Sequence, residues 1–255
     1  DVWISRDYLI YQALHFQDPQ VFAVTPKVYE WEQPIFAAGG RFASFRKGFW
    51  SVYFNYDVNL PKGVRWISER RLLSIYAIGG FATYSKAKLE ALGGFNELLS
   101  PFYWEDIDLS YRGWKRGWEV HYEPRSIARH RTSATIKTHF KKSLVEEVSI
   151  QNRLLFHWIN IHSPDFLIRH LLMLTVLLLT RILVLDISFY RAYFRALKRL
   201  PQALKLRRTE GTHSRRTDTE ISRLLTDFFD SAPIEIYYNR QDVIRKHPEF
   251  KEVET

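Results

Sequence analysis

Cysteine is absent from the 255-residue chain, which excludes disulfides and thiolate metal sites and permits a reducing compartment. Acid is in short supply: 28 Asp and Glu face 37 Lys and Arg, giving a net charge of +9. Long apolar runs are scarce too. A spanning helix needs about 20 apolar residues. In the most apolar stretch, Phe166 to Tyr190, the uninterrupted run is only Leu171–Thr180, and Arg169, Arg181 and Asp186 break it up. No secretory leader is evident, because the opening DVWISRDYLIYQ has charges where an apolar region belongs. The chain also starts without Met, on what reads as the tail of a strand, so the expectation is the later part of a longer protein. Internal repeats are absent.

What is present is apolar and aromatic. The hydrophobic share of 46% supports a real core, and the aromatic share of 16%, with eight Trp, suggests surfaces half apolar and half wet. The basicity is uneven. Nine Lys/Arg between Arg191 and Arg216 meet one acid, Glu210, so the positive charge is read as belonging to an appendage. Next to the apolar stretch, it suggests a helix lying in a membrane interface beside anionic headgroups, each Lys or Arg worth about 1 kcal/mol there. The alternative is a buried core helix followed by a solvated basic one.

Periodicity predicts a helix over 6–16, a buried strand over VFAVT (21–25), and a long aromatic loop region over 29–70. RLLSIYAIGGFATYS (71–85) reads as a strand interrupted by Gly79-Gly80. A short helix follows over 86–92, with Ser85 as N-cap and Gly93-Gly94 as the stop. EVHYEP (119–124) reads as a strand leading into a loop, and 143–162 as a helix. Residues 217–255 are mixed in charge and either pack back or dangle.

The most informative segment is YWEDIDLSYRGWKRGW, Tyr103 to Trp118. Ile107, Tyr111, Trp114 and Trp118 recur at helical spacing, with Arg112, Lys115 and Arg116 off that stripe and Gly117 ending it. Glu105 and Asp106 therefore sit at a helix N-terminus, where the macrodipole favours anions by about 0.3–1 kcal/mol. Acids at an N-terminus are common, so position alone does not make them functional.

The run GGFATYSKAKLEALGGFNELLSPFYWEDIDLSYRGWKRGWEVHYEPRSIARH, with DVWISRDYLIYQALHFQDPQVFAV before it, resembles glycosyltransferase family 2. The likeness is to bacterial rhamnosyl- and galactofuranosyltransferases, from the DxD motif onward. It covers 1–140 well and 150–208 loosely. One departure is Asn96, where the family's GGFDE has an acid; the nucleotide-binding half before the DxD is also missing. The resemblance implies an α/β chain: the C-terminal half of a GT-A fold, Rossmann-like, over 1–140. A helical, basic, membrane-proximal region would follow over 141–216, and a tail over 217–255.

The resemblance also implies inverting transfer of a hexose, rhamnose-like or other, from a nucleotide-diphosphate donor to a hydroxyl of a lipid-linked or cell-surface glycan, such as a polyprenyl-diphosphate-linked one. Asp106 would be the base. Asp1 and His130 match ligands for Mg²⁺ or Mn²⁺; a packed or surface histidine is the plainer reading of His130. Trp104 stacks on a sugar ring or packs in the core. Glu105, Asp108 and Arg112 are implied donor- or acceptor-binding residues, with Glu105 and Asp108 on sugar hydroxyls, unless Asp108 pairs with Arg112 one turn on. Gly79 and Gly80 allow close approach of the donor, form a bulge, or both. The implied location is cytoplasmic, peripheral on the inner face of the membrane, through 166–216. A degenerate transferase-like protein using the basic tail to bind membrane or nucleic acid is the alternative. No recognised nucleic-acid motif accompanies the tail, so no nucleic-acid partner is expected.

Overall fold

The computed structural model describes residues 2–33, 35–58, 71–131 and 139–246. The chain is mixed α/β. A five-stranded sheet has the order β1 (Val2–Ile4), β7 (Glu119–His130), β2 (Val21–Glu30), β3 (Phe36–Ala38), with β6 (Thr83–Tyr84) also pairing β2. β2 and β7 run parallel, and the other pairs are antiparallel. A second, antiparallel sheet has the order β4 (Gly40–Arg46), β5 (Phe49–Val58), β8 (Ile234–Tyr237).

β2 is almost wholly buried, and its near-continuous apolar start suits a parallel strand covered on both faces. It does not end at Thr25 as the sequence suggested. Pro26 falls at a register shift against β7, the kind of irregularity that tolerates a residue with no N–H to give. β7 likewise continues through the expected loop to His130. The larger correction is the stretch read as loop. Residues 36–58 hold three strands, and β4 turns into β5 at Lys47-Gly48, both at positive φ, the backbone of a two-residue hairpin. Residues 59–70, the rest of that expected loop, lie outside the described residues. The stretch 71–85 forms only an isolated bridge, Leu73 to His121, and the short β6.

The helices are α1 (Tyr8–His15), α2 (Lys86–Ala91), α3 (Glu105–Lys115), α4 (Lys142–Asn160), α5 (Pro164–Leu183), α6 (Ile187–Lys198), α7 (Leu200–His213), α8 (Asp218–Ser231) and α9 (Arg240–Lys246). Ser85 precedes α2 without making a side-chain cap, and Gly93 and Gly94 take positive φ behind it. One apolar cluster runs from Phe22 to Phe229 and includes α3, α4, α6 and α8. Side chains on both sides of the expected boundaries at 140/141 and 216/217 therefore share a single core.

The basic segment is part of that body, not an appendage. α6 and α7 pack on α4. Arg199 donates to the Leu98 carbonyl, Arg207 to those of Trp158 and Ile161, and Arg216 to that of Trp118. Residues 218–231 pack back: Asp218 is fully buried at the head of α8. Its carboxylate accepts from Tyr111 Oη at 2.6 Å, Lys115 Nζ at 3.0 Å and the backbone N–H of His162 and Ser163, each at 2.6 Å. Those donors hold Asp218 below the usual carboxylate range even though burial works the other way.

Candidate active site

α3 carries the site. It opens on two consecutive non-glycine residues in the left-handed region, Tyr103 (φ 68°) and Trp104 (φ 74°). Such conformations cost about 1–3 kcal/mol each and persist only where surroundings over-determine them. Here Asn152 of α4 does so: its side-chain amide donates to the carbonyls of Leu99, Phe102 and Tyr103. The turn drives the Trp104 ring into the core and leaves Glu105 and Asp106 at the helix N-terminus.

Asp106 is half-buried. Its Oδ1 accepts the Ile107 N–H at 2.8 Å, and Gly79 N–H also bonds its carboxyl. Burial raises its pKa, opposed first by the Arg41 guanidinium and then by these backbone donors. Arg41, whose chain leaves β4 beside Gly40, lies over the Tyr76 ring at 5.1 Å. Burial also raises Glu105, and Asp106 adds to the rise. Burial raises the Tyr76 and Tyr84 phenols as well; around both, Asp106 and Glu105 add to the rise. These groups therefore lie close to one another around the head of α3. Three buried polar atoms there have no hydrogen-bond partner: Glu105 Oε2, Tyr84 Oη and Arg41 Nε. Buried polar atoms are normally paired, so three unpaired ones around the head of α3 set this cluster apart and leave it able to make further hydrogen bonds.

Gly79 and Gly80 form the exposed rim. A Cβ on Gly79 would stand 3.5 Å from Asp106 Cβ and 3.9 Å from the Phe95 ring, and one on Gly80 would meet nothing within 4 Å. Neither is held at positive φ, so the fold itself does not require glycine at 80. Phe95, 44% exposed, edges onto Tyr84 at 6.3 Å between centroids.

His130 lies at the end of β7, paired with Val2, and its ring sits edge-on to Phe81 at 5.0 Å. Burial lowers its pKa, which keeps the imidazole neutral. Its described side-chain neighbour is Phe81, and no contact joins it to Asp106 among the described residues. Asp1 lies outside the described residues. Among the described residues no cluster of three or more His, Asp or Glu could hold a metal ion. Of the two implied ligands only His130 is among the described residues, where it stands as a single candidate ligand.

Three other expected site residues point inward. Trp104 is 1% exposed, with Phe156 at 5.2 Å and His157 at 5.9 Å covering its ring, so it has no face for a sugar. Asp108 is fully buried, accepting from Arg112 Nε at 2.8 Å and Asn160 Nδ2 at 2.7 Å. Arg112 spends its other nitrogens on the Leu92 and Gly94 carbonyls. The pair braces the 93–94 turn against α3. Arg41, Tyr76, Tyr84 and Asn152 were missed by sequence reasoning. Arg41 carried one available signal, its place directly after Gly39-Gly40; the others carried none. Two surface hollows, one beside His162 and Arg207 and one beside Tyr238 and Asp242, lie away from this site.

No protein-family description matches the chain, and no curated protein does. Among solved structures the chain is similar to the "Crystal structure of GalNAc-T7 with UDP, GalNAc and Mn2+". The TM-score is 0.44 and the identity 13%, over 62% of this chain and 30% of that one. The chain thus spans under a third of that protein, and a likeness of this size carries no functional argument.

Proposed function

We propose that the chain carries the acceptor-side half of a nucleotide-sugar-dependent hexosyltransferase of the family 2, GT-A type, acting with inversion on a hydroxyl of a lipid-linked or cell-surface glycan. The observation that supports this is the Asp106 site: a desolvated carboxyl at a helix N-terminus, facing an exposed Gly79-Gly80 rim, with unpaired polar atoms of Glu105, Tyr84 and Arg41 around it. A general base must come within about 2.6–3.2 Å of the proton it takes, with a pKa set toward the working pH. Burial moves Asp106 in that direction, and Arg41 keeps it ionisable.

In the proposed step the acceptor oxygen attacks the anomeric carbon as its proton passes to Asp106. The bond from that carbon to the diphosphate oxygen breaks, and the nucleoside diphosphate leaves with the electron pair. Glu105 and Tyr84 hold sugar hydroxyls, and the glycine rim lets the ring lie against backbone. No step is assigned to a cation.

The test is Asp106→Asn in the full-length protein, screened against nucleotide-sugars. Acceptor-dependent release of nucleoside diphosphate should fall by about 10²–10⁴-fold while the donor Kd stays within twofold. Turnover like the wild type would remove Asp106 from the role. Absence of transfer with every donor, alongside retained binding of vesicles or nucleic acid, would favour a transferase-like binding protein.

A further inference from the structure

α5 meets the body along one face only. Phe166, His170 and Leu174, spaced four apart, are buried, and His170 Nδ1–H donates to the Gly48 carbonyl at 2.9 Å. The opposite face is apolar and open, and α5 is the one helix among the described residues long and apolar enough to cross a membrane by length and composition. Its body-facing histidine and edge arginines argue against spanning. The open face continues past the helix end: Leu183 is 81% exposed and Leu185 77%, and Val184 and Ile187 are also exposed. Leu185 takes positive φ (49°), and Arg181 Nη1 pairs with Asp186 at 2.9 Å. The Tyr190 hydroxyl donates to the Leu178 carbonyl, tying α6 back onto α5. The result is a closed helical hairpin whose tip is a cluster of aliphatic side chains. An exposed apolar surface of this kind on an otherwise well-packed chain marks a contact site.

We infer that this hairpin is a monotopic anchor: the α5–α6 tip inserts into one leaflet of an anionic bilayer, and exposed bases beside it meet the headgroups. Charge complementarity selects lipid over a second copy of the chain. Arg169, Arg181, Arg191, Arg195 and Lys198 are exposed along the same two helices; the first four pair with Asp165, Asp186 and Glu147, so five bases against three acids leave an excess of two positive charges, which two copies joined through this face would bring together. Helix α7, part of the basic segment the sequence suggested as the headgroup contact, is held to the body through Ala203, Arg207 and Glu210, while Lys205 and Arg208 stay exposed. The inserting element is therefore narrower than 166–216. An amphipathic helix with basic edges binds by apolar area plus attraction to anionic lipid. This inference does not rest on the catalytic reading.

The test is flotation of the purified full chain with vesicles of phosphatidylcholine, with and without 30 mol% phosphatidylglycerol (about a third anionic, enough to set a negative surface potential). The expected result is flotation with the anionic vesicles, reduced but not abolished by salt. Leu183→Asp with Leu185→Asp should lower the partition at least about tenfold, as loss of inserted leucines requires, with an unchanged melting temperature because neither side chain is packed. Wild-type protein left unbound, or a double variant that floats as well as wild type, would overturn the proposal. So would a dimer in vesicle-free buffer that the same double variant dissociates, since a second copy would then own the face. Activity of the Asp106→Asn variant has no bearing on these outcomes.

Discussion

Asp108→Asn is the sharpest test of how α3 is held. Asn preserves the shape of Asp108 and one acceptor oxygen, but removes the charge facing Arg112. That guanidinium is 5% exposed and Asp108 itself 0%, so water cannot replace the lost charge. Removing one partner of a buried pair costs about 3–5 kcal/mol, because the other charge stays behind uncompensated. For a chain of this size each kcal/mol lowers Tm by about 2–4 °C, so the variant should melt roughly 6–20 °C below wild type. Glu90→Gln provides the control: the Lys86–Glu90 pair is 3.8 Å apart and largely exposed, and its loss should stay within about 0.5 kcal/mol. Both variants are followed by circular dichroism melts at one salt concentration. If Asp108→Asn melts with the control, Arg112 does not depend on Asp108, the bracing argument fails, and Asp108 returns as a ligand-binding group.

Other outcomes follow from the same geometry. Asp106→Asn should raise Tm at pH 7 while transfer falls by about 10²–10⁴-fold. Burial raises the carboxyl from 3.8, so its contribution to stability is present below that value and is lost as pH rises through the raised one; an equal or lower Tm would contradict the desolvation. Glu123 runs the opposite way. Against the opposing effect of its burial, Arg125 and His15 hold it down to about 2 from 4.5, which is worth roughly 3 kcal/mol above pH 5. Glu123→Gln should lose that at pH 7 and flatten the stability drop between pH 4.5 and about 2, read by urea unfolding across pH. Gly40→Ala should cost about 3 kcal/mol by overpacking, since its Cβ would stand 2.1 Å from Tyr56 Cζ; an unchanged urea midpoint would mean that Tyr56 moves freely.

How much of this was legible in the sequence depends on how local each cause is. The stripe of Ile107, Tyr111 and Trp114 made α3 readable as a helix, although its other faces are buried as well, from Ile107 to Lys115. The Gly93-Gly94 stop was readable because positive φ favours glycine whatever the surroundings. The burial of Arg112 and Lys115, and the half-burial of Arg116, were not readable. Their counter-charges come from Asp108, from Asp218 and from Glu210, two of them about a hundred positions away. β4 and β5 were hidden by rings on both faces, which erase alternation, and their one local sign was the Lys47-Gly48 turn. At the site, Asp106 and the glycine rim came from the resemblance. Tyr84 and Arg41 did not, since only folding brings β4, the 76–84 segment and the head of α3 together.

The Asp218 carboxylate has a consequence for the order in which this protein can be made. It is the counter-ion of Lys115 and a partner of Tyr111, on the rear of the same helix whose front end bears Asp106. A ribosome that has emitted everything through residue 217 has produced that helix with an uncompensated ammonium in its interior. The rear of that helix thus gains its counter-ion only with segment 218–231 in place, from a residue 103 positions beyond the lysine it serves.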